Sequence, residues 1–147
     1  MANEIRVPLE SDVDMVPARA HGRALALELG FTRTDATLVA TAISEIARNI
    51  VVHAGRGEIV LRAVSEDDRD GIVVVARDAG PGIRDLDAAL QHGYASRGGL
   101  GLGLPGARRL MDEFEVTSEL DRGTTVTMKK WRLRSRLERL RDTSRRA

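Results

Sequence analysis

The 147-residue sequence contains no cysteine. That absence excludes disulfides, thiolate metal ligands and a cysteine nucleophile. Aromatic residues make up only 3% of the chain, so aliphatic side chains must fill the core, and recognition of nucleic acid by base stacking is not expected. No apolar run is long enough to span a bilayer. The opening stretch MANEIRVPLESDVD lacks the basic-then-apolar order of a signal peptide. Formal net charge is +1, so no global field draws the chain to nucleic acid or to a membrane surface. A cytoplasmic protein with neither kind of partner is therefore the expectation.

What is present suits one folded domain: 42% hydrophobic and 31% charged residues in a chain long enough to bury a core. The charge is uneven. From Lys129 onward nine residues are basic and two acidic. We divide the chain into a domain over 1–131 and a basic tail over 132–147. Trp131, Leu133, Leu137 and Leu140 fall near one face if the tail is helical, which would suit partner docking; a frayed, solvated tail explains the composition equally well.

Periodicity gives the element order. Ile5, Val7 and Leu9 alternate, which predicts a strand over 3–9. Ser11 or Asp12 is positioned to cap a helix reaching Leu29, with Val13, Val16, Ala20, Ala24 and Leu27 near helical spacing and Pro17 marking an alternative start. A second helix is predicted from a Thr34 cap to Gly55, with Val39, Ile43, Ile46 and Ile50 as its apolar stripe. EIVLRAVSE and GIVVVARD read as two strands joined by a charged turn, DDRDG. A weak helix over 86–91 and a small, polar, glycine-rich stretch, HGYASRGG, come next. Pro105 suits the first turn of a helix running to Glu113. Two final strands, 114–120 and 124–131, flank a turn at Asp121-Arg122-Gly123. Strands joined by tight turns are antiparallel. The fold class predicted is thus α/β: a single-domain α/β sandwich with a mixed, mostly antiparallel sheet and its helices on one face.

Four clusters carry candidate chemistry. Gly101-Leu102-Gly103-Leu104-Pro105-Gly106 fits G-x-G-x-x-G, but a dinucleotide fingerprint must leave a strand directly within parallel βαβ units, and neither condition holds. Asp78-Ala79-Gly80-Pro81-Gly82 follows the strand IVVVA. A carboxylate at a strand end can accept a hydrogen bond from an exocyclic amine, and Gly80 and Gly82 let the backbone approach a ligand; an ordinary turn would have the same composition. Glu45, Asn49 and His53 are spaced by four and share one helix face. The amide oxygen of Asn49 suits Mg²⁺ and the Glu45 carboxylate suits general base work, although a solvated helix face would look alike. His53 is expected to act at the helix end. Gly123-Thr124-Thr125 opens the last strand, as a hairpin turn or as a hydroxyl donor to a base.

In this order and placement the four clusters resemble the GHKL family of ATP-binding domains (the Bergerat fold), shared by gyrase, heat-shock chaperones, histidine kinases and MutL. Glu45 and Asn49 match the family's E-x-x-x-N box. Asp78, Gly80 and Gly82 match its D-x-G-x-G box. Gly99, Gly101 and Gly103 match the glycine-rich end of its ATP lid, and Gly123 with Thr124 its closing G-T pair. The resemblance covers about Asn3 to Trp131. It implies ATP and Mg²⁺ as ligands. Asp78 would read the adenine amino group, with Gly80, Gly82, Thr124 and Thr125 around the base. Asn49 would hold the metal, backbone amides at Gly101, Leu102 and Gly103 would cradle phosphate, and HGYASRGG would be the lid. Arg97 in that lid, or Arg48, would neutralise phosphate charge. The sequence holds neither a phospho-acceptor histidine helix pair nor a transducer domain. It is therefore most similar to the bacterial anti-sigma-type serine/threonine kinases of RsbT type, which phosphorylate small STAS-domain proteins in stress signalling and can bind a phosphatase. Glu45 would be the catalytic residue. The alternative implied by the same family is a non-catalytic ATP-binding switch that sequesters or activates a sigma factor or phosphatase.

Overall fold

A single antiparallel sheet organises the molecule, built from two tight hairpins and two connections that pass through helices. The computed structural model describes residues 4–84, 90, 103–133, 137, 138 and 140. Strand β1 (Ile5–Leu9) leads through a 3-10 turn (Asp12–Asp14) into helix α1 (Met15–Glu28), then helix α2 (Arg33–His53). Strands β2 (Gly57–Glu66) and β3 (Arg69–Asp78) follow, then helix α3 (Gly103–Leu110) and strands β4 (Glu113–Glu119) and β5 (Gly123–Leu133). The sheet order is β1-β2-β3-β5-β4 and every neighbouring pair is antiparallel; β2–β3 and β4–β5 are the hairpins, and helices link β1 to β2 and β3 to β4. The expected α/β sandwich is what forms, without a parallel pair among the described strands.

The sequence explains most boundaries, and the differences have local causes. Thr32, not Thr34, caps α2: its hydroxyl accepts the Asp35 N–H at 3.1 Å, while its extended backbone stands outside the helix. Ahead of α1, Ser11 precedes a 3-10 turn, and the Asp14 carboxylate accepts the N–H groups of Glu10 and Ser11 at 2.7 and 3.2 Å. Pro17 lies in the first turn of α1 rather than at its start, where its missing N–H costs nothing. The β2–β3 turn is only Asp67-Asp68, because Asp67 adopts a left-handed φ of 48° and lets pairing resume at Arg69. Helix α3 stops at Leu110, and β4 already starts at Glu113.

The central helix α2 fills the space over the sheet. Val39, Ile43, Ile46 and Ile50 are buried as expected, against Leu9, Ile59, Leu61, Ile72, Val74 and Met128 of the sheet. On α1 the expected stripe is wrong. Ala18, Gly22 and Ala26 are the buried line, whereas Val13, Val16, Ala20, Ala24 and Leu27 are exposed. Small residues win because α1 lies close on α2: a β-carbon built on Gly22 would stand 2.1 Å from Ile43 Cδ1.

The last strand runs to Leu133, so Trp131 and Leu133 belong to the sheet and not to a tail helix. Trp131 is held there by its N–H on the Asp112 carboxylate at 2.8 Å, by its indole N–H on Glu113, and by the Arg69 guanidinium 3.8 Å from the ring centroid. Arg132 donates to the Leu29 carbonyl at 2.6 Å and forks onto Glu138 at 2.7 and 3.2 Å, tying the end of β5 to the α1–α2 turn. No helix among the described residues is long and apolar enough to cross a membrane.

Candidate nucleotide-binding site

Between the C-terminal half of α2, the end of β3, the start of α3 and the start of β5 lies an open cleft. Each wall is set by a local feature of the sequence. Ile46 and Ile50 turn inward on α2, which turns Asn49 and His53, on the adjoining face, toward the cleft. β3 ends at Asp78, whose carboxylate is clamped: Oδ1 accepts the N–H of Gly80 at 2.9 Å and of Thr124 at 3.2 Å. No described residue takes its other oxygen. A half-buried carboxylate fixed by one oxygen and open at the other suits a ligand N–H donor.

The loop after β3 is laced to the β4–β5 hairpin. The Ile83 N–H donates to Ser118 Oγ at 2.8 Å, Ser118 and Thr124 share a hydroxyl hydrogen bond of 2.9 Å, and the Asp121 N–H donates to the Pro81 carbonyl at 2.8 Å. This close approach explains two glycines. Gly123, at φ +121°, would place a β-carbon 2.0 Å from the Asp78 carbonyl oxygen, and Gly82, at φ +80°, one 2.4 Å from the Glu119 carbonyl oxygen. On the opposite wall, buried Leu104 and Ala107 seat α3 on the core. Its N-terminal Gly103 therefore faces α2, and a β-carbon there would lie 3.7 Å from Asn49 Oδ1. The N-terminal N–H groups and positive pole of α3 thus sit beside an amide oxygen.

The structure brings together Asn49, Asp78, Gly82, Gly103 and Thr124 on one cleft, with Gly80 beneath it against Ala54. Glu45 is half-buried one turn before Asn49 and does not line the cleft among the described residues. Thr125 is not among the residues that line the cleft. Strand alternation points Thr124 into the core side and Thr125, opposite Arg77, to the other face of the sheet. Arg48 is exposed and off the cleft. Gly99, Gly101, Leu102 and Arg97 lie outside the described residues. Sequence reasoning missed Ile83 and Arg84, which line the cleft directly after the D-x-G-x-G run, and gave His53 a helix-end role although it lines the cleft too. The spacing of four from Asn49 was the available signal for His53.

Among the described residues the cleft holds one permanent cation, Arg84, and one carboxylate, Asp78. No group of three His, Cys, Asp or Glu side chains able to hold a metal occurs among them. An oxygen from Asn49 alone fits a cation that arrives with a ligand's phosphates, the usual manner for Mg²⁺, and not a metal caged by protein.

Comparison with known proteins agrees with this geometry. The profile of the histidine kinase-like ATPase domain family matches residues 8–130. The serine/threonine-protein kinase RsbT of Bacillus subtilis is 43% identical over 131 residues, covering 89% of this chain and 98% of that protein. The anti-sigma F factor of Oceanobacillus iheyensis is 32% identical over 120 residues, covering 77% and 81%. The crystal structure of the RsbU and RsbW domains of a Mycobacterium tuberculosis protein shares the fold, with a TM-score of 0.55 at 22% identity, over 90% of this chain and 33% of that one. With the strand-end carboxylate, the E-x-x-x-N helix and the glycine-bounded cleft all in place, the chain belongs to the histidine kinase-like ATPase domain family, beside the RsbT kinase and the anti-sigma factors.

Proposed function

We propose that the cleft binds MgATP and that the protein transfers the γ-phosphoryl group to a serine or threonine of a small STAS-domain regulator in a bacterial partner switch. The observation that supports this most is the convergence of Asp78, Asn49 and the N-terminus of α3 on one cleft. The free oxygen of Asp78 accepts the adenine amino group. Thr124, bonded to Ser118, shapes the base end. The α3 N–H groups meet phosphate oxygens, as helix N-termini do. Asn49 supplies an oxygen to Mg²⁺, which when bound neutralises phosphate charge.

In the transfer, the hydroxyl oxygen of the protein substrate attacks the γ-phosphorus, the bond to the β–γ bridging oxygen breaks, and ADP leaves. The hydroxyl proton passes to the Glu45 carboxylate. Glu45 stands one turn from Asn49, where a protein hydroxyl rather than the nucleotide meets it, in keeping with its place outside the cleft lining. Positioning and charge neutralisation supply most of the rate in such a reaction.

Radiolabel transfer from ATP to co-incubated STAS-domain proteins tests the reading. Wild type is expected to label a serine or threonine, Glu45→Ala to lose at least about 100-fold, the usual scale for an essential acid–base group, and Asn49→Ala to lose labelling with the oxygen offered to the metal. Wild type labelling no better than Asn49→Ala would count against it. The 32% identity to an anti-sigma F factor favours a second role in which the ATP-bound form sequesters a sigma factor or a phosphatase. Partner binding that survives in Glu45→Ala while labelling is lost would separate that role from catalysis.

A further inference from the structure

Strand pairing puts a second hydroxyl behind the base end of the cleft. On the core side of β4, Phe114, Val116 and Ser118 stand opposite Met128, Val126 and Thr124 of β5. The first two pairs are apolar and join the core. The third is hydroxyl on hydroxyl, at 2.9 Å, where the ladder reaches the cleft. A third aliphatic pair would bury more apolar surface, so the hydroxyls need another reason. Thr124, at 5% exposure, is also the one buried polar side chain among the described residues.

The hydrogen-bonding capacity of the two hydroxyls gives the pair a direction. A serine hydroxyl has one O–H to donate and two lone pairs to accept with. Ser118 Oγ accepts the Ile83 N–H at 2.8 Å. Its own O–H has two acceptors in reach, Thr124 Oγ1 at 2.9 Å and the Gly123 carbonyl at 3.4 Å. Hydroxyl hydrogen bonds fall at about 2.5–3.0 Å, which selects the threonine. Thr124 then keeps its O–H for a ligand, since no other acceptor for it occurs among the described residues and Thr124 lines the cleft. The Thr124 N–H donates to Asp78 Oδ1 at 3.2 Å, which sets this hydroxyl next to the carboxylate whose other oxygen is open. The cleft wall thus presents an acceptor and a donor side by side. Adenine offers the complement, an amino N–H beside the ring nitrogen N1. Guanine offers the reverse, a carbonyl oxygen beside an N–H.

We propose that Ser118 is a positioning residue for base selection: by accepting the Ile83 N–H and donating to Thr124, it commits the Thr124 hydroxyl to donate toward ring N1, directly or through one water. This rests on the reading of the cleft as an ATP site and adds the residue that sets the polarity of its base end. Without Ser118 the Thr124 hydroxyl turns freely, and it accepts from guanine as readily as it donates to adenine. With Ser118 in place guanine leaves polar groups unpaired, a strong source of discrimination in a closed site.

The test is calorimetric titration of the full chain, with Mg²⁺, against ATP, GTP and a deaza-ATP that carries C–H in place of ring N1. Wild type is expected to bind the deaza analogue about three- to tenfold more weakly than ATP, the range of one neutral hydrogen bond. In Ser118→Ala that difference should vanish and the ATP-to-GTP preference should shrink, while Ser118→Thr, which keeps a hydroxyl, retains both. Thr124→Val, which replaces the hydroxyl by a methyl, should lose the deaza difference too, and it reads the donor whether or not Ser118→Ala folds. A merely structural Ser118 would weaken all three ligands alike, and that result overturns the assignment. So does a wild type that binds ATP and the deaza analogue equally, or a Ser118→Ala or Thr124→Val variant that keeps the wild-type difference; in each of these cases the ATP site itself stands. If wild type binds none of the three nucleotides, the ATP reading fails and the role of Ser118 fails with it.

Discussion

Asp78→Asn is the sharpest single perturbation of the site. The substitution keeps the carbonyl-type oxygen that accepts the Gly80 and Thr124 N–H groups at 2.9 and 3.2 Å, so the loop after β3 and the start of β5 keep their clamp. It replaces the open oxygen with an NH₂ group, which confronts the adenine amino group donor to donor. A hydrogen bond to a charged acceptor contributes about 1.5–3 kcal/mol, and 1.4 kcal/mol is about a factor of ten in affinity. ATP affinity is therefore expected to fall about 10- to 100-fold, while thermal unfolding without nucleotide moves by no more than about 3 °C, or roughly 1 kcal/mol for a chain of this size. The assay is titration with ATP and, separately, with GTP. Guanine carries an oxygen where adenine carries the amino group, so the ATP-to-GTP preference should shrink in the variant. Unchanged ATP affinity, or loss of ATP and GTP in equal proportion, would refute the assignment of Asp78 to the base.

Three further outcomes follow from the packing. Gly123→Ala places a methyl 2.0 Å from the Asp78 carbonyl oxygen at a φ that disfavours any side chain; a cost of at least about 2 kcal/mol is expected, read as a lowered unfolding temperature together with weakened ATP binding, since the clamp on Asp78 moves. Thr32→Ala removes the hydroxyl that accepts the Asp35 N–H and should cost about 1 kcal/mol with ATP affinity intact. Gly22→Ala collides with Ile43 Cδ1 and should cost about 1–3 kcal/mol; combined with Ile43→Val, which removes that atom, the loss should be smaller than the sum of the two single losses by at least about 1 kcal/mol, and strict additivity would show that α1 does not pack through Gly22.

The sheet and the central helix were legible in the sequence because their signals are local and redundant. Val39, Ile43, Ile46 and Ile50 repeat at helical spacing, and large aliphatic residues have nowhere to go but inward. Helix α1 was misread for the same reason inverted. Its large apolar residues point outward, and a line of Ala18, Gly22 and Ala26 is buried, because contact with α2 is decided by how closely two backbones approach. Small residues every fourth position were the signal, and hydropathy does not weigh them. At the site, Asn49, Asp78, Gly82 and Thr124 were legible since each ends or opens an element and carries its own backbone requirement. The facing of Thr124 and Thr125 was not legible because threonine at adjacent strand positions gives no phase; only the register opposite Arg77 and the burial of Val126 and Met128 fix it. Trp131 and Leu133 fit a helical stripe and a strand edge alike, and the ladder with β3 decided for the strand. Arg84 carries no motif, and only the course of the loop brings it to the cleft.

The central claim, one nucleotide cleft walled by α2, the end of β3, the start of α3 and the start of β5, is tested most directly by backbone and side-chain amide NMR during titration with ATP and Mg²⁺. Saturable shifts at the Asn49 side-chain amide and at the N–H groups of Gly80, Gly82, Gly103 and Thr124, with α1 and the open face of the sheet unmoved, are what the account predicts. Shifts centred on Thr125, Arg77 and Lys129, on the opposite side of the sheet, would contradict it.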